Sequence, residues 1–175
     1  MLQSPSSSDW LRRYRLSLAV FVTGLVLSGV TAFPLVLEMN LVLRVLGIDP
    51  NAPPPELNPL HQWLLTVRNG LVDTQSKYPW MAYGTDWLAF GHLAIAVFFI
   101  PAWKDPQRSL GLLHSGMIAC IGVIPLALMC GSIREIPFGW RLIDCSFGIL
   151  GIVPLLYCRH CLRHLEQESG STAAG

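Results

Sequence analysis

The chain has 175 residues, 52% of them hydrophobic and 13% charged, and a net charge of +1 from 12 basic and 11 acidic side chains. Soluble domains carry about 25% charged residues, so this composition, with a mean hydropathy of +0.47, specifies an integral membrane protein. There is no basic field to hold nucleic acid, no glycine-rich loop to cradle a phosphate, and no cysteine spacing of a secreted disulfide framework.

Residues 1–15 are polar and serine-rich and end in Trp10 and the cluster Arg12, Arg13, Arg15, which reads as a cytoplasmic tail with a basic anchor. The apolar run that follows, over 16–39, is enough to cross a bilayer as a helix at 1.5 Å per residue. It is too long for a typical signal-peptide core and has no A-x-A cleavage pattern, so it is expected to stay as a span. Gly24, Ser28 and Thr31 lie on one face and predict close helix packing, with Glu38 on the same stripe at the far interface. Pro34 predicts a bend.

Residues 44–82 form the longest segment between spans. Asp49 to Pro55 is stiff and extended by composition, and Asn58-Pro59 has the pattern of an N-cap followed by proline at the first helical position. Leu60, Trp63, Leu64, Val67 and Leu71 then recur at helical spacing, which predicts an amphipathic helix at the membrane surface or across the mouth of a bundle. His61 and Arg68 fall on its other faces, and His61 is the candidate lid residue.

Tyr78, Trp80, Tyr83 and Trp87 mark re-entry into the bilayer. The second span, over 83–103, carries Asp86 and His92, both costly in hydrocarbon and therefore expected to face a partner or cavity. Its stripe of Thr85, Ala89, His92 and Ala96 points the imidazole toward neighbouring helices. A short loop leads to the third span, 110–131, with His114, Gly116, Ala119, Cys120, Gly122 and Pro125. A tight turn with Arg134 and Glu135 leads to the fourth, 140–158, with Arg141, Asp144, Gly148, Gly151 and Pro154. The tail, 159–175, is charged and then small and polar, and is expected to fray.

The fold expected is an all-α integral membrane protein, a four-transmembrane-helix bundle over 16–158 with an extracytoplasmic amphipathic helix between spans one and two. Seven basic residues lie in the two tails and the Lys104–Arg108 loop, against five spread over the other side. The positive-inside rule then puts both termini in the cytoplasm, in what reads as a bacterial inner membrane. Pro34-Leu35-Val36-Leu37 against Pro125-Leu126-Ala127-Leu128, and Asp86 against Asp144, suggest a weak parallel repeat.

Glu38, Asp86, Arg134, Glu135, Arg141 and Asp144 all fall at the outer ends of the spans in this topology, with His92 deeper. They are the ligand-binding candidates for an outward-facing polar pocket, and Arg141 and Asp144 are spaced to pair. As a metal site, His92, Asp86 and Glu38 would supply the imidazole and carboxylates that zinc, iron or manganese prefer, but no ligand motif supports this and no cofactor is specified. His92 and His114 differ by about 12 Å in depth, which disfavours haem ligation by that pair. Cys158-Arg159-His160-Cys161 is a lone C-x-x-C, read as juxtamembrane thiols open to lipidation or inert. The function expected is a binding or assembly subunit whose partners are the bilayer and a homo-oligomer or larger membrane complex. The alternative is an intramembrane metal-dependent or redox enzyme using His92 and nearby carboxylates.

Overall fold

A computed structural model describes residues 6–50 and 58–173, and among them the regular structure is entirely helical. The expected stiff proline run mostly lies outside the described residues, as does the tip of the amino-terminal tail. Seven α-helices follow in order: α1 Ser7–Thr31, α2 Leu35–Val45, α3 Pro59–Lys77, α4 Pro79–Phe98, α5 Ile100–Lys104, α6 Leu110–Ile133 and α7 Phe138–Ala173. Four stretches are long and apolar enough to cross a membrane: Ser7–Thr31, Pro79–Lys104, Gln107–Ile133 and Phe138–Glu168. Large side chains such as Val20, Leu27, Ile118 and Leu150 stay exposed along them. Apolar surface on that scale is stable only against lipid, so the protein is an all-α integral membrane protein.

The first span differs from the expected one. Pro34 does more than bend it: proline has no N–H to give and crowds the preceding residue out of helical geometry. The helix therefore stops at Thr31, and α2 restarts after Pro34, whose φ and ψ are −90° and 46°. At the other end the helix reaches back to Ser7, so the basic cluster is helical rather than part of a tail. Likewise α7 continues well past 158, to Ala173, instead of fraying there.

The described residues form two compact units, one of residues up to Gly24 with those from Ala96 onward, the other Leu25–Ile95. In the first, α6 and α7 make a tight hairpin. Its turn is a Schellman motif: the Ile136 amide donates to the Gly131 carbonyl at 2.9 Å and the Glu135 amide to Ser132 at 3.1 Å. Glu135 occupies the left-handed position, φ 57°, where glycine is usual. Small residues set the approach of the two helices. A Cβ on Gly148 would collide with the Cys120 carbonyl oxygen, and one on Gly151 would lie 3.0 Å from the Cys120 sulfur. Against them α1 buries Tyr14, Leu18 and Phe21, spaced four and three residues apart on one face. Phe21 meets Phe99 edge to face at 4.9 Å, and Ser17 donates to the Pro154 carbonyl at 2.8 Å.

In the second unit a Cβ on Gly29 would lie 2.9 Å from the Ala89 carbonyl. The expected packing stripe of Gly24, Ser28 and Thr31 is corrected by this: Gly24 faces open space and Thr31 caps its own helix through a 2.9 Å bond to the Leu27 carbonyl. Ala89 is buried, as the small-residue stripe of the second span requires, and so is Ala96, which belongs to the first unit. Helix α2 closes with its own Schellman motif, Gly47 at φ 71°, and the flanking Leu43 and Ile48 are buried together with their backbone bonded at 2.9 Å. Helix α3 starts as its sequence dictates, with Pro59 at the first position and the Asn58 side chain accepting from the His61 amide at 3.0 Å.

Candidate functional site

A cavity with a volume of about 520 Å³ belongs to the second unit. It forms where the broken end of the first span turns into α2. Phe33, Pro34, Leu35 and Leu37 supply one wall, Val67, Leu71, Thr74 and Gln75 of α3 another, and Met81, Thr85 and Asp86 of α4 the third. The break is what creates the space, since an uninterrupted helix would carry Leu35 and Leu37 onward instead of turning them toward α3. The position of α3 against α2 is held by Arg68, whose Nε donates to Asn40 Oδ1 at 3.0 Å. Arg68 thus has a specific partner, and Asn40 is a residue that sequence reasoning passed over.

Asp86 is the one charged residue in this lining, with the Thr74 and Thr85 hydroxyls and the Gln75 amide as further polar groups. Thr85 turns its hydroxyl back onto the Ala82 carbonyl at 2.6 Å. Asp86 is half-buried. It lies about 10 Å along the helix from Pro79, near one end of the span. The chemistry available is therefore that of an apolar slot with a carboxylate at its edge, suited to an amphiphile that carries a hydrogen-bond donor or a positive charge.

The other candidates are distributed differently from the expectation. Glu38 stands in the first turn of α2, next to the lining residue Leu37 but outside the cavity. His92 is half-buried and spends its Nδ1 on the Leu88 carbonyl one turn back, at 2.9 Å, so it is a locally satisfied side chain and does not line the cavity. His61 lends its backbone amide to the α3 cap, and its ring is not part of the lining either. Among the described residues no three His, Cys, Asp or Glu side chains are placed to share a metal ion, so Glu38, Asp86 and His92 do not form a ligand set.

In the first unit, Glu135 is a turn residue and Arg134 is the α6 C-cap, its amide bonded to the Cys130 carbonyl at 3.0 Å. The expected Arg141–Asp144 ion pair is not formed. Arg141 instead lies over the Phe138 ring at 5.4 Å and reaches the Leu128 carbonyl at 3.5 Å, while its aliphatic stem fills the space beside Gly131. Cys158 and Cys161 are fully buried, and the Cys158 thiol donates to the Tyr14 carbonyl at 3.5 Å. The helix face that a three-residue spacing defines thus turns into the core, so in the folded protein these thiols are closed to lipidation. All five cysteines are free thiols.

Fold and cavity define the class: an integral membrane protein of four membrane-length helices with a mostly apolar, acid-edged cavity. No protein-family profile matches the chain, and no curated protein or solved structure is significantly similar to it.

Proposed function

We propose that the protein is a small multi-pass membrane protein that binds an amphiphile in an outward-facing pocket, as a binding or accessory subunit of the membrane in which it sits. The observation that carries this is the cavity of about 520 Å³ with Asp86 as its one charged lining residue. Its apolar walls suit an acyl or alkyl chain, and the carboxylate favours a cationic or strongly donating head group. The distribution of lysine and arginine supports cytoplasmic termini in a bacterial inner membrane, which leaves α3 and the cavity on the outer side. There α3 would lie along the surface as an amphipathic helix, with Val67 and Leu71 toward the cavity. The alternative of a metal-dependent or redox enzyme draws no support from His92, whose bonded ring nitrogen is turned to its own helix.

Native mass spectrometry of the detergent-purified chain tests this with amphiphiles of one tail length and trimethylammonium, neutral or sulfonate heads. The cationic member is expected to be retained best, and Asp86→Asn to remove about a tenfold preference, the scale of one charge-assisted contact. Equal retention of all three, or a preference that survives in Asp86→Asn, would refute the reading.

A further inference from the structure

A second cavity, of about 390 Å³, lies in the first unit at the opposite end of the chemistry, and it is basic. It is lined by Ser8, Leu11, Arg12, Arg15 and Leu16 of α1 and by Trp103 of α5. The α1 residues recur at three- and four-residue spacing and so form one face of the helix. Neither arginine makes an ion pair or side-chain hydrogen bond among the described residues, and the Arg15 Nε is shut off from solvent with no partner. A guanidinium donor that is buried and unbonded is unfavourable, and a fitting acceptor relieves that cost. The neighbouring acids do not supply one. Asp9 is held by the Ser6 amide at 3.1 Å and hydroxyl at 2.9 Å; Asp105 is paired with Arg108 at 3.5 Å; and neither lines the cleft.

We infer that this cleft is a binding site for the phosphate of an anionic phospholipid, with Arg12 and Arg15 gripping the phosphate oxygens and Leu11 and Leu16 receiving the first part of an acyl chain. Planar guanidinium groups match a phosphate's oxygens in pairs. Trp103, exposed at the end of a span, has the apolar body and N–H of an interfacial residue and closes the far side of the cleft. Apolar and basic groups alternate along the face, so a lipid fits better than a soluble phosphate, which would leave Leu11, Leu16 and the indole without a use. The site is separate from the Asp86 cavity and takes the opposite charge.

Native mass spectrometry of the full chain in a mild detergent distinguishes the sources, with phosphatidylglycerol, phosphatidylcholine of the same acyl chains, and glycerol 3-phosphate as probes. Phosphatidylglycerol is expected to bind at least about tenfold more tightly than phosphatidylcholine, and glycerol 3-phosphate not to displace it at equal concentration. Arg12→Gln should weaken phosphatidylglycerol about fivefold, and Arg12→Gln with Arg15→Gln more, while Arg159→Gln with Arg163→Gln, outside the cleft, leaves it unchanged. Arg12 is exposed, so its substitution keeps the fold even where loss of Arg15 disturbs it. Equal binding of the two lipids, or unaltered phosphatidylglycerol binding by folded Arg12→Gln, would overturn the site. Displacement by glycerol 3-phosphate would also overturn it, as a soluble-phosphate site.

Discussion

Tyr14 and Ala102, 88 residues apart in the chain, are joined by a 3.0 Å hydrogen bond from the buried phenol to the backbone carbonyl. The carbonyl needs this donor. Its helical partner would be the amide of residue 106, which is Pro106 and has none. Tyr14→Phe keeps the ring in place and leaves that acceptor buried and unbonded. It is expected to destabilise the protein by about 1–2 kcal/mol, read as a lower unfolding midpoint by far-UV circular dichroism in one detergent. An unchanged midpoint would show that the bond contributes nothing.

The glycines of α6 and α7 divide into those that set the helix approach and those that do not. Gly148→Ala would push a methyl group into the Cys120 carbonyl, which is backbone and cannot swing aside, and should cost about 1–3 kcal/mol. At Gly122 nothing lies within 4 Å, and Gly122→Ala should stabilise by about 0.5–1 kcal/mol through helix propensity. The pair is best compared by the same unfolding measurement, and the claim is the opposite sign of the two shifts.

Thiol reactivity separates the core cysteines from the peripheral ones. Cys130 is exposed, whereas Cys158 and Cys161 are fully buried. A maleimide should modify Cys158 and Cys161 at least about tenfold more slowly than Cys130 in the folded protein, because they react only through opening of the α1–α7 packing. In sodium dodecyl sulfate the rates should converge. Rapid labelling of Cys158 without denaturant would place the C-x-x-C face on the surface after all.

Four apolar runs were legible from composition and length alone, because spanning hydrocarbon demands them whatever the tertiary packing. The start of α3 was legible too, since Asn58 and Pro59 act within a single turn. What stayed hidden depends on contacts between segments. A proline at 34 reads equally as a kink or a stop: Pro125 and Pro154 sit inside continuous helices, whereas at Pro34 the helix ends. Gly24 and Gly29 are alike as letters, yet only Gly29 meets Ala89. His92 is an imidazole deep in a span, and a carbonyl one turn back, invisible in the spacing, satisfies it locally. Asp86 was legible as a candidate, but its cavity arises from a helix break that no spacing rule announces.

The stop at Thr31 also has a consequence for how the protein sits in its bilayer. Between Arg15 and the end of α1 the apolar stretch runs only from Leu16 to Thr31, about 24 Å at 1.5 Å per residue, against a hydrocarbon core of about 30 Å. Such a negative mismatch draws flanking residues inward, or thins the membrane around them. Arg12 and Arg15 are then held below the plane where they would otherwise rest, and must reach up to it with their side chains. The break at Pro34 thereby acts as a depth gauge for charges within about one turn of the other end of the span.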